Sequence, residues 1–323
     1  MRLVVFSVLL AGMALSRTGA AEAATGPQHS DLQIFVAAAR GELEIRFKGK
    51  PLLLYAFATN QFKPYVKKLY TLGGQNVLLD APVDHLHHHG LMYAIRVNDV
   101  NFWEEVGEPG HERPVKLLSH KTGNSASGLP QASFSQLIHW VAHTNATVAN
   151  TAGVALLIET RTIVVTIDEA QDQVALNWRS DFELGSAREQ ASLTGSAYNG
   201  LGLRFPRSFD HGARHQNSEN LPYTAEAKWD VTPAKWSAVN GSVDGHDATI
   251  ALFGQPSNKG ETRFFTMLNP FAYLAVTQNL EKQPIEYTAG DKFSIRYLLI
   301  LYPGRKNADF VNARYAQWLR DPK

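Results

Sequence analysis

The sequence predicts an all-β fold, a large antiparallel two-sheet β-sandwich with a C-terminal helix. Three observations predict it: apolar and polar residues alternate with period two in long stretches, turn residues punctuate those stretches, and helical spacing is convincing only at the tail. At 323 residues and 44% hydrophobic, the chain can bury a large core. Its length also exceeds the roughly 100 residues of an immunoglobulin-type unit, so one sandwich domain over residues 24–323 is expected rather than two small ones.

The N-terminus reads as a secretory signal over residues 1–23. Arg2 supplies the charge, Leu3 to Leu15 the apolar run, and Ala21-Glu22-Ala23 a small-residue cleavage site. Export to the periplasm or beyond is the expectation, without disulfides, because the chain has no cysteine. Later apolar runs fall short of the ~20 residues of a membrane helix. Loss of Arg2, Arg17 and Glu22 leaves 29 basic and 29 acidic residues, a balance that favours neither nucleic acid nor an anionic membrane as partner.

The elements follow in order. Leu43, Ile45 and Phe47 alternate with charged residues before Lys48-Gly49-Lys50-Pro51 turns the chain into a first hairpin. Ile163, Val165 and Ile167, a polar turn from Asp168 to Asp172, then Val174, Leu176 and Trp178 make a second. Phe293, Ile295, Tyr297, Leu299 and Leu301 alternate in a strand apolar on both faces toward Tyr302, as a central strand is. Asn307 caps a tail helix whose stripe is Phe310, Val311, Arg314, Tyr315, Trp318 and Leu319. Lys121–Gln131 and His143–Gly153 read as loops.

Chemistry concentrates in "PVDHLHHHGLMY", Pro82 to Tyr93, which holds four of the twelve histidines. If the segment is extended, His85, His87 and His89 share one face and Asp84, Leu86 and His88 the other. His85 and His87 then form a convergent pair for a divalent transition metal, completed by Glu104, His111 or Glu112. Two other readings stand beside this one. The histidines are an acid/base centre with Asp84 as orienting carboxylate, or they are buried, hydrogen-bonded core residues.

Further candidates flank the motif. "SAYNGLGLRF" offers Tyr198, Asn199 and Arg204 for hydroxyl or carboxylate groups, with a plain bulged strand and an exposed Arg204 as the alternative. "NDVNFWEEVGEPGHERP" offers Trp103 to stack on a sugar ring, with Glu104 and His111 to bond its hydroxyls, or else a surface loop anchored by Trp103. Trp229 reads as core and Asn258 as a turn residue. No nucleophile elbow, phosphate loop or zinc helix is present.

The segments "KPYVKKLYTLGG", "DHLHHHGLMYAIRVNDVNFWEE", "YNGLGLRF", "FGQPSNKGETRFF" and "AGDKFSIRYLLILYPG" resemble the PmoA-like family, secreted bacterial proteins of unassigned function found near carbohydrate-processing genes. The most specific element is Asp84, His85, His87, His88 and Gly90. The family label points to a methane oxygenase subunit that crosses the bilayer repeatedly; this chain has no such span, so the methane reading does not carry over. The resemblance implies a sandwich of the galactose-mutarotase-like kind and a carbohydrate context, while the mutarotase motif itself finds no match here.

These readings converge on a secreted protein taking a small-molecule or oligosaccharide ligand, with Asp84, His85, His87 and His88 as catalytic candidates. Trp103, Glu104, His111, Tyr198 and Arg204 are the substrate-binding candidates. The rivals are a non-catalytic carbohydrate-binding protein and a metal-dependent oxygenase or lyase using the histidines.

Overall fold

A computed structural model describes residues 31–143, 155–186, 188–210, 212–221 and 228–320. The signal-peptide expectation and nearly all of the His143–Gly153 loop lie outside the described residues. Lys48 and Gly49 take positive φ, 50° and 77°, a turn whose twist suits a tight hairpin. Glu42–Phe47 therefore folds back on Lys50–Ala56, with Leu43, Ile45 and Phe47 buried. In the second hairpin Ile163, Val165 and Ile167 lie opposite Trp178, Leu176 and Val174, and Asp168 caps the turn by accepting from the Gln171 N–H.

The first hairpin supplies the second and third strands of a nine-stranded sheet. This sheet runs from Leu32–Ala37 through Glu42–Phe47, Lys50–Ala56, Tyr65–Leu69, Leu91–Ala94, Gly200–Arg204, Tyr273–Thr277 and Arg263–Met267 to Trp229–Pro233. An eight-stranded sheet runs from Arg214–Asn217 through Trp236–Val243, His246–Gly254, Lys292–Pro303, Gln173–Leu184, Ala155–Asp168 and Pro130–Val141 to His111–Asn124. A small sheet joins Ile285–Thr288, Gln190–Thr194, Arg96–Val97 and Val100–Asn101. Lys121–Asn124, read from composition as loop, instead extends a strand to the Asn124–Pro130 pair. Its exposed polar side chains conceal a ladder made by backbone alone.

The two large sheets bury one core between them, where Tyr93 meets Trp140 and Phe182 and Tyr55 meets Phe134. Within it lies a polar knot. The Arg161 Nε donates to Glu159 at 2.7 Å, Nη2 to Glu112 at 2.8 Å and Nη1 to the Pro64 carbonyl at 2.7 Å. Trp140 and Ser180 also donate to Glu159. Burial pushes Glu112 up to about 8, against the pull of Arg161. Glu112 is thus a core residue and unavailable as a metal ligand.

The helix Ala308–Arg320 packs on the outer face of the eight-stranded sheet. Asn307 Oδ1 accepts from the Phe310 N–H at 3.0 Å, and Val311 and Tyr315 bury against Trp236, Phe253, Leu298, Ile300 and Tyr302. This cover explains why Lys292–Pro303 is apolar on both faces. No helix among the described residues is long and apolar enough to cross a membrane.

Candidate active site

Alternation along the nine-stranded sheet decides where the candidate residues go. Tyr93 faces the core, and its register partner Leu201 does the same. Gly202 and Arg204, offset by one residue, therefore lie on the opposite face, as do Tyr273 opposite Arg204 and, further along, Phe265. The site sits on this outer face, roofed by residues 81–90 and by Trp103.

Residues 82–90 are not a strand. Pro82 lacks an N–H, Ala81 takes φ 43°, and two successive turns follow, His85 N–H to Pro82 and His88 N–H to His85. The Ala81 N–H donates to the His88 carbonyl and closes the loop. Gly90 then lies so close to the next strand that a Cβ would stand 2.5 Å from the Val66 carbonyl oxygen. The extended-strand expectation is corrected accordingly. His85, His87 and His88 come together, with ring centroids 4.5–5.8 Å apart, while His89 turns away onto Tyr65 at 4.2 Å.

Asp84 ties the loop to an arginine 120 residues further along the sequence. Its carboxylate accepts from Arg204 Nη2 at 3.3 Å and Arg207 Nη2 at 2.9 Å, and lies 3.2 Å from His85 Nδ1. Arg204 is buried rather than exposed, its guanidinium 3.6 Å from the Phe271 ring centroid. In a second group, Asn101 Nδ2 and the Tyr198 hydroxyl donate to Glu104 at 2.5 and 2.6 Å. A third group links Asp80, His89, Glu105 and Lys63, with His89 3.0 Å from both carboxylates and the buried Lys63 donating to Glu105 at 2.5 Å. Asn199 is a turn residue, its Oδ1 accepting from the Ser196 N–H, and Asn258 likewise clamps Arg296 through backbone bonds.

The two tryptophans exchange the roles expected of them. Trp103 is only 1% exposed and meets His88, Tyr198 and Tyr273 from within, so it has no free face for a sugar. Trp229 is 48% exposed and stacks on Phe265, which touches Tyr198 and Tyr273. Position on the sheet's last strand leaves Trp229 one open face, a fact that residue type alone conceals. His111 packs on Phe62 at 4.6 Å, outside the histidine group. Among the described residues no three histidine or acidic side chains are placed to hold a metal ion, so His85 and His87 gain no third ligand.

Gly202 fits the site sterically, since a Cβ there would lie 1.8 Å from the Tyr273 hydroxyl. Gly202→Ala is expected to cost about 1–3 kcal/mol by overpacking, read from the denaturation midpoint, and to displace Tyr273.

Electrostatics separate the histidines. Burial lowers His88 to about 2, with His87, His85 and Arg204 adding to the effect. Burial also lowers His87, helped by His85 and Lys63 and opposed by Glu105 and Glu104. His89 is raised despite burial, because the bonds to Asp80 and Glu105 prevail. Burial would raise Glu104, yet the bonds from Tyr198 and Asn101 hold it below the usual carboxylate range. A histidine depressed in the fold gives up stability as pH falls below its unfolded value. For His88 the loss between pH 6.5 and 5 is on the order of 2 kcal/mol. His88→Phe should flatten that part of the stability profile, measured by urea denaturation across the range.

Residues 42–316 match a family of unknown function, DUF6807, and the chain belongs to it. This finding replaces the PmoA-like resemblance. No curated protein matches the sequence. Among solved structures, a GH36 α-galactosidase from Geobacillus stearothermophilus is 10% identical with a TM-score of 0.49, over 85% of this chain and 41% of that one. A putative aldose 1-epimerase from Klebsiella pneumoniae is 10% identical with a TM-score of 0.44, over 87% and 84%. A GalM/aldose epimerase homologue from C. elegans is 8% identical with a TM-score of 0.36, over 85% and 100%. The chain thus spans less than half the length of the galactosidase.

Proposed function

We propose that this is a carbohydrate-active enzyme, exported to the periplasm or beyond, that moves protons on a sugar or sugar-derived substrate with His87 as the acid/base group. One observation carries the reading. Three imidazoles converge on the outer face of a large sheet, and the half-buried His87 among them makes ring contacts but no side-chain hydrogen bond to a described residue. A lowered pKa keeps His87 neutral near pH 7 and able to accept a proton. Glu104, whose charge acts on His87 and which accepts from the Tyr198 hydroxyl, is available for substrate hydroxyls, and Trp229 offers an open indole face of the kind a sugar ring stacks on.

The exposed Trp229 also supports a second reading, a sugar-binding protein without turnover. Proton NMR of a panel of mono- and oligosaccharides in D2O, with wild type and His87→Gln, separates the two. The enzyme reading expects exchange, epimerisation or bond cleavage with wild type and its loss in the variant. Binding without turnover by either protein favours the second reading, and turnover untouched by His87→Gln overturns the assignment of His87.

A further inference from the structure

The polar groups of the site are lopsided in hydrogen bonding. Arg204 Nε and Nη1, Trp103 Nε1, the Tyr273 hydroxyl and His88 Nδ1 are buried without a hydrogen-bond partner. Guanidinium and indole nitrogens only donate, and a phenol donates readily, so the set is donor-rich whichever tautomer His88 adopts. Leaving such groups unpaired is costly. They belong to one contact group, because Arg204 lies over Phe271, Phe271 meets His88 at 5.3 Å, and His88 meets Tyr273 at 5.5 Å and Trp103 at 6.3 Å.

Two guanidiniums stand at the centre of this set: Asp84 is shared by Arg204 and Arg207, and Asp210 also acts on Arg204 through its charge, so charge is balanced here and the surplus is one of N–H donors. Arg207 is 60% exposed at the rim, and Arg204 is fully buried behind it. A surplus of donors built around two guanidiniums is met by one oxygen group that accepts several charge-assisted bonds at once, which a carboxylate does with two oxygens where a hydroxyl offers one.

We propose that the substrate class is an acidic sugar, a uronate or related sugar acid, with its carboxylate held by Arg204 and Arg207. The inference rests on the carbohydrate reading above and names the sugar's charged group. Calorimetric titration at fixed ionic strength tests it, with galacturonate, glucuronate and their trimers against galactose, glucose and neutral trimers. Glucose 6-phosphate and acetate complete the panel, and Arg207→Gln is the variant because an exposed side chain is replaced without disturbing the core.

The expected result is that uronates bind at least tenfold tighter than their neutral counterparts, and that Arg207→Gln removes this preference. Equal binding of neutral and acidic sugars overturns the acidic-sugar assignment and leaves the carbohydrate reading standing. Tighter binding of glucose 6-phosphate than of glucuronate overturns it in favour of phosphate. Acetate binding as tightly as the uronates overturns the carbohydrate reading itself, and binding of none of the panel overturns both.

Discussion

Arg161→Leu is expected to destabilise the protein by about 3–5 kcal/mol, the cost of removing one partner from a buried ionic group. Arg161 is fully buried and is the cation that joins Glu159 and Glu112. Without it Glu159 keeps the Trp140 and Ser180 donors but loses its buried cationic partner. Glu112→Gln provides the contrast. Burial raises the Glu112 pKa, which favours its neutral form, so an amide should cost less than loss of the cation, about 1 kcal/mol, the scale of one hydrogen bond. Urea denaturation at pH 7 measures both, and comparable losses for the two variants would contradict this account of the knot.

His87→Gln is expected to lower turnover roughly 10²- to 10⁴-fold on any sugar the wild type converts, the range that general acid–base catalysis supplies. Glutamine retains much of the size and polarity but cannot accept a proton near neutrality. His87 is half-buried, so stability should change little, within about 1 kcal/mol. The pH dependence has a defined sign as well. Because the His87 pKa is lowered from 6.5, activity needing neutral imidazole should persist below pH 6.5 in the wild type. Activity collapsing on acidification from pH 7 would point to another group.

Much of the fold was legible because its signals are local. Turn chemistry at Lys48-Gly49, alternation in Ile163–Ile167 and the Asn307 cap each act within a few residues, and each appears where expected. The site was legible by residue type and less so by geometry. Asp84, His85, His87 and His88 do gather, but the conformation that gathers them depends on Ala81 in a left-handed conformation and on contact of Gly90 with the neighbouring strand. A period-two reading has no access to either. Arg207, Phe271 and Tyr273 were missed because the pairing of Gly200–Arg204 with Tyr273–Thr277, and the turns next to those strands, bring them to Asp84 and His88. Asp80 and Glu105 are joined through His89, and Lys63 through its own bond to Glu105, across spacings that sequence pattern does not connect. Exposure was the least legible quantity, as the exchange between Trp103 and Trp229 shows.

The central claim is that sugar acts at the histidine loop on the outer face of the nine-stranded sheet. A hollow of about 550 Å³ lies elsewhere, lined by residues that include Gln75, Asp172, His246 and Asp247. It lies past the Leu69 end of Tyr65–Leu69, whereas the histidine loop lies at the Tyr65 end. NMR of protein labelled at histidine and tryptophan ring nitrogens, titrated with the tightest-binding sugar, tests the claim most directly. The account predicts shifts at His85, His87, His88, Trp103 and Trp229, with His246 unmoved. Shifts at His246 with the histidine loop unmoved would contradict it.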